Sequence, residues 1–364
     1  MNTTSGAKSG FVRTNGASFE LDGKPFTFGG SNLWSSQKDP VDFVIRIAAW
    51  NEKDPAHGID PGATFFQEWT NGKPTINDGP NGLQLLDQAV RAAEAANIKL
   101  ILCLANEWPN YGGMDTFTKN ILGDAGFTHT NFYTNDQVIS AFKIYVSRVV
   151  ARYKSSPAVL SWELANEARC QEANCKGSDV LTHWADDIST YIKSLDSNHL
   201  VTFGGYGYFS NGHCANNCDF AYDGDSGEDY TAILKLPNID FGALHLYTNP
   251  ANSAGEPYGL QWFKDHNDAS VAANKPMIVE ELGVGRQNAG LDQAAIMETY
   301  EKFLVDSRAA SAIGGVLLWS SDVMGGACPL DGDPFAICQG DPQFGDLVTG
   351  FMGSMAAKGG GTTA

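Results

Sequence analysis

Two hydrophobic periods alternate along this chain. Short apolar runs occur at Phe26–Gly30, Phe43–Ala48, Lys99–Ala105, Val159–Asn166, Leu200–Gly204, Phe241–Tyr247, Met277–Glu281 and Gly315–Trp319. β-Branched and aliphatic residues dominate them, as in strands buried on both faces. Between them lie stripes stepped by three and four: Leu83/Leu86/Val90/Ala93, Val138/Phe142/Tyr145/Val149, Trp184/Ile188/Tyr191/Leu195, Ile296/Tyr300/Phe303 and Phe344/Leu347/Phe351/Met355. Those steps predict amphipathic helices. Strands alternating with helices predict a parallel sheet, and eight of them in one domain predict a (β/α)8 barrel. Ahead of it, Asn15-Gly16 and Asp22-Gly23 punctuate alternating residues such as Phe19 and Leu21, which predicts an N-terminal β-hairpin. The expected division is a disordered tail over 1–10, one domain over 11–356 and a flexible Gly-rich tail over 357–364. One connection breaks the pattern. Ser31–Asp42 is too short for a comfortable helical crossover, which needs about a dozen residues or more, so a missing segment or a neighbouring element is expected there.

Two of the runs end in acids. One reads Trp162-Glu163-Leu164-Ala165-Asn166-Glu167 and the other Val279-Glu280-Glu281-Leu282-Gly283. Carboxylates are costly to bury unless paired or used, and the carboxyl ends of the strands are where such a barrel keeps its chemistry. Two acids facing one pocket can hydrolyse a glycosidic bond. Glu167 is the expected acid/base, with Glu163 a deeper, structural acid. Alternation groups Glu281 with Met277 and Val279 and puts Glu280 on the other face; Glu281 is the expected nucleophile. His245 and Tyr247 share a strand face, and the Tyr247 hydroxyl could orient the nucleophile. Trp319 ends the last strand, where its plane can stack on a sugar. Arg46, a charge within an apolar strand, demands a carboxylate, with Glu281 the expected partner. Asn166 suits a sugar hydroxyl, and Asn106, Glu107 and Trp108 extend the cleft from the third strand.

Charge narrows the partners. Forty-two acids against 24 bases give −18, which argues against nucleic acid and anionic membranes and is compatible with a neutral polysaccharide. No apolar run reaches the length of a membrane span, and no phosphate loop or HExxH pattern implies a cofactor. The first ten residues lack the apolar core of a signal peptide and look like a mature start. Six of the seven cysteines fall into local pairs in polar loops: Cys170/Cys175, Cys214/Cys218 and Cys328/Cys338. Cys103 sits alone in a strand. Three disulfides, one buried thiol and secretion follow. The rival reading of His213-Cys214 with Cys218 is a metal site. Asp223–Asp229 and Asp331-Gly332-Asp333 lack the full calcium-loop spacing and read as turns and caps.

At these residues the chain resembles glycoside hydrolase family five, and within it the fungal endo-β-1,4-mannanases, from about Phe11 to Met355. The resemblance rests on Phe66-Gln67, Asn106 with Trp108, Tyr111-Gly112-Gly113, Trp162-Glu163-Leu164, Asn166-Glu167, Arg169-Cys170, Ser194 through His199, His245-Leu246-Tyr247 and Glu280-Glu281. It implies retaining, endo-acting hydrolysis of β-1,4 bonds in mannan, galactomannan and glucomannan by a cofactor-free, extracellular monomer. It also implies Glu167 as acid/base and Glu281 as nucleophile. Arg46, Asn166, His245, Tyr247 and Trp319 would line the cleaved-bond subsite, with Arg169 toward the leaving group. The chain departs at Ala168, where proline is usual, and at Glu107, where a second asparagine is common. The alternatives are an exo-β-mannosidase or β-1,4-glucanase of the same family, or a non-catalytic carbohydrate-binding barrel. The last is disfavoured by the presence of both glutamates.

Titration of the unreduced, denatured protein is expected to find one free thiol. Five or more would overturn the disulfide reading.

Overall fold

The computed structural model describes residues 9–32, 43–173, 175, 179–210, 220–248, 255–285, 292–307, 311–319, 321–322, 333–338, 340–342 and 344–358. The connector from residue 33 to 42, His213, Cys214, Cys218, Cys328, Asp331 and Gly332 lie outside them, as do most of both expected tails.

Three antiparallel strands come first: β1 (Val12–Asn15), β2 (Ser18–Leu21) and β3 (Lys24–Phe26). The expected hairpin is therefore a meander, because both turn signals are used, with Gly16 at φ 59° and Gly23 at φ 78°. The barrel begins with β4 (Phe28–Asn32) and β5 (Phe43–Ala48). A small sheet of β6 (Glu52–Lys53), β7 (Gln67–Thr70) and β8 (Lys73–Ile76) precedes α1 (Leu83–Ala96). Next come β9 (Lys99–Cys103), α2 (Met114–Leu122), α3 (Asn131–Thr134), α4 (Asp136–Tyr153) and β10 (Val159–Glu163). They are followed by α5 (Val180–Leu195), β11 (Leu200–Thr202), α6 (Tyr230–Leu234), β12 (Gly242–Thr248) and α7 (Glu256–Ala273). Last are β13 (Met277–Val284), α8 (Gln293–Asp306), β14 (Ile313–Leu318) and α9 (Phe351–Lys358). The expected final helix is split, since Gly345–Gly350 forms a π-helical turn before α9.

All eight expected strands form one parallel sheet in the order β11-β10-β9-β5-β4-β14-β13-β12. The two outer strands meet at a seam, where Asp240 N donates to Val201 O at 2.8 Å and His245 N to Tyr206 O at 3.0 Å. The sheet thereby closes into a (β/α)8 barrel. Its interior is filled by Phe28, Val44, Ile101, Leu160, Leu200, Phe241, Ile278 and Leu317, and the N-terminal meander adds Val12, Phe19 and Phe26 to the same cluster. The ring of Phe19 lies 5.3 Å from that of Phe241, so the meander plugs the end opposite the acids. Outside, one apolar layer joins α1, α4 and α5 to β5, β9 and β10, and another joins α7, α8 and α9 to β12, β13 and β14.

Helix α7 has no obvious stripe in the sequence. Its buried positions, Gly259, Trp262, Phe263, His266 and Ser270, have helical spacing, but three of the five are small or polar. Tyr300 takes the space at Gly259, and His266 Nδ1 and Nε2 lie 2.7 and 2.8 Å from the carbonyl oxygens of Trp262 and Gly207. Asp223 and Asp229 have the expected turn and cap roles, accepting from Asp225 N at 2.7 Å and Ala232 N at 2.9 Å. Cys170 is bonded to Cys175, and Cys338 is also disulfide-bonded. Cys103 is a buried free thiol.

The two strands flanking the 33–42 connector approach very closely. A methyl group at Gly30 would stand 1.8 Å from Val44 O and 2.6 Å from Leu317 Cδ2. Gly30→Ala is therefore expected to cost about 3 kcal/mol or more in urea unfolding, the upper range for overpacking. A loss below about 1 kcal/mol would mean that the strands separate easily.

Candidate active site

The carboxyl ends of β5, β10, β12 and β13 converge on one charged cluster. Arg46 enters from β5, 5% exposed, and its Nε and Nη2 donate to the two oxygens of Glu163 at 2.7 and 2.6 Å. Its Nη1 donates to Glu281 Oε1 at 2.5 Å and to Asn32 Oδ1 at 3.2 Å, and its Nη2 also donates to Asn166 Oδ1 at 2.7 Å. The expected Arg46–Glu281 pair is thus present. Glu163 is the fully buried acid expected, and it is also the guanidinium's bidentate partner. Asn32, which donates to Glu280 O at 2.7 Å, carried no signal in the sequence.

The facing of the β13 glutamates differs from the expectation. Met277 and Val279 point outward into the helical layer, and Ile278 points into the barrel. Strict alternation would then turn Glu280 inward and Glu281 outward. Instead the register shifts between Leu244 and His245 on the β12 side, and between Val279 and Leu282 on the β14 side. This bulge turns both glutamates inward. Glu280 Oε2 lies 3.7 Å from Arg46 Nε and 3.4 Å from His245 Nε2, while its Oε1 has no hydrogen-bond partner among the described residues.

His245 is fully buried, with Nδ1 2.8 Å from Glu167 Oε1 and 3.4 Å from Glu281 Oε2. The Tyr247 hydroxyl donates to Glu281 Oε2. One oxygen from each of Glu167 and Glu281 and a ring nitrogen of His245 lie within 4.8 Å of one another. Trp319 is half-buried, its ring centroid 6.4 Å from that of Tyr247. Phe335, 4.7 Å from Tyr247, and Tyr206, 5.7 Å from His245, also line the site. Neither is readable beforehand, because both come from loops rather than periodic segments.

The second wall is built from loops. The ladders of β9 and β10 stop at Cys103 and Glu163, short of the expected ends, and a single bridge joins Asn106 to Asn166. Asn166 Nδ2 donates to Asn106 Oδ1 at 2.9 Å. Glu167 has φ 53°, left-handed backbone that costs a non-glycine residue about 1 kcal/mol or more. Its Oε2 accepts from Trp108 Nε1 at 2.6 Å, and the Arg169 guanidinium lies 4.5 Å above the Trp108 ring. Trp108 is 44% exposed. All ten expected site residues therefore gather at one end of the barrel.

Burial opposes charge on His245, but Glu281, Glu167 and Glu280 outweigh it and hold the imidazole protonated to about 10. Burial also pushes Glu167 upward, yet His245, Trp108 and Arg169 together bring it below the usual carboxylate range. For Glu281, burial wins over His245 and Arg46, and the nearby charge of Glu167 raises it further. Two more buried acids brace the cleft loops. Glu52 accepts from Gly113 N at 2.8 Å, and Glu228 from Gly207 N and Tyr208 N at 3.1 and 3.0 Å; burial lifts each to about 8.

The family profile described as GH family 5 beta-mannosidase-like matches residues 79–312. The chain is 34% identical to the probable mannan endo-1,4-beta-mannosidase A of Aspergillus oryzae, over 96% of this chain and 89% of the relative. It is also 34% identical to the mannan endo-1,4-beta-mannosidase A of Aspergillus aculeatus, over 97% and 92%. Among solved structures, the endo-1,4-beta-mannanase of Rhizomucor miehei superposes with a TM-score of 0.80 at 35% identity, covering 95% of this chain and 99% of that one.

The buried groups set a pH dependence of stability. His245 is joined by His129, which Asp115 and Glu107 hold protonated to about 10 against burial. Both histidines, Glu52 and Glu228 have folded pKa values raised above those of the unfolded chain. Each contributes fully below its unfolded value, about 6.5 for His and 4.3 for Glu, and loses that contribution as pH rises through the folded value. Asp87, lowered mainly by Arg152, and Asp196, lowered by His199 against burial, lose theirs as pH falls below about 4. Unfolding free energy in urea is thus expected to peak between about pH 4 and 6 and to decline steadily toward 10. A maximum above pH 8 would contradict these assignments.

Proposed function

We propose the reaction of this chain from one premise: the chain belongs to glycoside hydrolase family 5, in its β-mannosidase-like group. It hydrolyses internal β-1,4-mannosidic bonds of mannan, galactomannan and glucomannan with retention of configuration. The observation that carries the mechanism is the approach of Glu167 and Glu281 carboxylate oxygens to within 4.8 Å. Retaining enzymes separate their two carboxyls by about 5–5.5 Å, whereas inverting ones leave about 6.5 Å or more for a water.

Glu281 attacks the anomeric carbon. Arg46 and the Tyr247 hydroxyl fix its orientation and favour its ionised form against burial. Glu167 protonates the departing oxygen, then takes a proton from the water that cleaves the glycosyl-enzyme ester. In the resting site Glu167 is low and Glu281 high, the reverse of what this step needs. His245 is the nearest proton source, its Nδ1 one 2.8 Å hydrogen bond from Glu167 Oε1. A proton moved there arms the acid. The same transfer removes the Glu167 charge that raises Glu281 and also the His245 charge that lowers it, so Arg46 and the Tyr247 hydroxyl are left to favour the anionic nucleophile against burial. Trp108 and Arg169 flank Glu167 where a leaving-group sugar would lie; Trp319 stacks on the opposite side of the cleaved bond. Neutral sugars need no cationic surface, in keeping with a net charge of −18. The Cys170–Cys175 disulfide supports an extracellular site of action.

Activated aryl β-mannosides separate the two roles. An activated leaving group needs little protonation, so Glu167→Ala should retain far more activity on it, relative to mannan, than Glu281→Ala does. Azide should rescue Glu167→Ala by giving the β-azide, since the small anion attacks the ester without a general base. Rescue of Glu281→Ala to the α-azide, with Glu167→Ala unaffected, would reverse the two assignments.

A further inference from the structure

Glu107 lies outside the reacting pair, yet it is bonded to both sides of the turn that presents Glu167. Its backbone N–H donates to Asn166 O at 3.0 Å, and its Oε2 accepts from Arg169 N–H at 3.1 Å. Residues 166 and 169 bracket Glu167, whose left-handed backbone would otherwise relax, and Ala168, which is fully buried. The same carboxylate faces the Arg169 side chain, with Oε1 4.0 Å from Nε, and that guanidinium rests on the Trp108 ring. Trp108 in turn donates to Glu167. Two routes, one through backbone and one through side chains, therefore run from Glu107 to one oxygen pair.

Glu107 is itself held. His129 Nε2 lies 3.0 Å from Glu107 Oε2, and the Tyr133 hydroxyl donates to the same oxygen at 3.3 Å. The other ring nitrogen of His129 lies 2.7 Å from Asp115 Oδ1, and its backbone N–H donates to Glu172 at 3.1 Å. Lys119 reaches Asp115 at 3.9 Å. An imidazole between two carboxylates satisfies both only as a cation, so His129 offsets the charge that Glu107 brings into the wall. His129 also joins the α2–α3 segment to the 166–169 turn, two loops that share no ladder.

We propose that Glu107, locked by the His129 cation, is a positioning residue that holds the 166–169 turn in its strained form and so aims Glu167 at the leaving-group oxygen. This rests on the acid/base reading of Glu167. Glu107 touches no reacting atom in this arrangement. Its loss should therefore weaken proton donation and leave attack by Glu281 intact.

The test compares kcat/KM, which reports the glycosylation step, on β-mannan and on dinitrophenyl β-mannotrioside. In Glu107→Ala, kcat/KM on mannan is expected to fall about 30-fold or more, with less than about a threefold fall on the aryl substrate, whose departure needs little protonation. Glu107→Gln keeps an acceptor for Arg169 N–H and should recover much of the mannan activity. Equal losses on both substrates, or no loss on mannan, would overturn the proposal. Should Glu107→Ala not fold, His129→Gln carries the same comparison with the same deciding outcomes. Wild-type protein that releases dinitrophenol without retention would instead break the underlying mechanism, which separates that failure from this one.

Discussion

Arg46 takes a full charge into the closed upper layer of the barrel, where Glu163, Glu280 and Glu281 surround it, and that arrangement constrains four strands at once. An isolated guanidinium there would cost far more than the fold's net stability, so its donors have to be met. Glu163 meets two of the five from β10, Glu281 and Asn32 meet one each from β13 and β4, and Asn166, just beyond β10, meets the fifth. Sliding any of these strands by one residue would turn its polar group to the outer face and strand the charge. Removing one partner of such a buried pair costs about 3–5 kcal/mol, mostly because the other charge is left alone. The register of the barrel's reactive end is therefore set by electrostatics, while the plugged end is set by packing around Phe19, Phe28 and Phe241.

The bulge in β13 follows from the same constraint. A regular strand could present only one of two consecutive glutamates to Arg46 and His245. With the bulge, Glu281 reaches Arg46 and Tyr247 while Glu280 stays beneath, against His245 and the Arg46 Nε. The cost is visible in Glu280 Oε1, a buried oxygen without a hydrogen-bond partner among the described residues. Unsatisfied buried oxygens concentrate where a site needs its geometry more than its stability.

What could be read in the sequence follows from these forces. All eight strands were legible, because strands buried on both faces need continuous apolar runs. Arg46, Glu167 and Glu281 were legible because charge interrupts those runs. The inward facing of Glu280 was not, since a period-two argument contains no term for an inserted residue. Helix α7 was hidden because its inner face uses glycine, histidine and serine to pack against Tyr300 and to serve carbonyls. The β6–β8 sheet was hidden for a different reason: four-residue strands such as Lys73–Ile76 bury little and carry almost no pattern. Tyr206 and Phe335 show the general limit, since loop residues reach the site through long-range closure.

The cleft is thus divided by the kind of structure that carries each group. Arg46, His245, Tyr247 and Glu281 stand on barrel strands whose relative positions are fixed by the ladder. Asn106, Trp108, Glu167 and Arg169 stand beyond the ladder, tied by single bonds, a disulfide-closed loop at 170–175 and the His129 cluster. A nucleophile must approach the anomeric carbon along one line, so rigidity serves it. An acid/base must donate in one step and accept in the next while the leaving sugar departs, so a turn held by replaceable side-chain contacts serves it better. That separation also confines change. Substitutions among Glu107, His129 and Arg169 can alter which leaving group is accepted, whereas a substitution near Arg46 disturbs the register of the barrel itself.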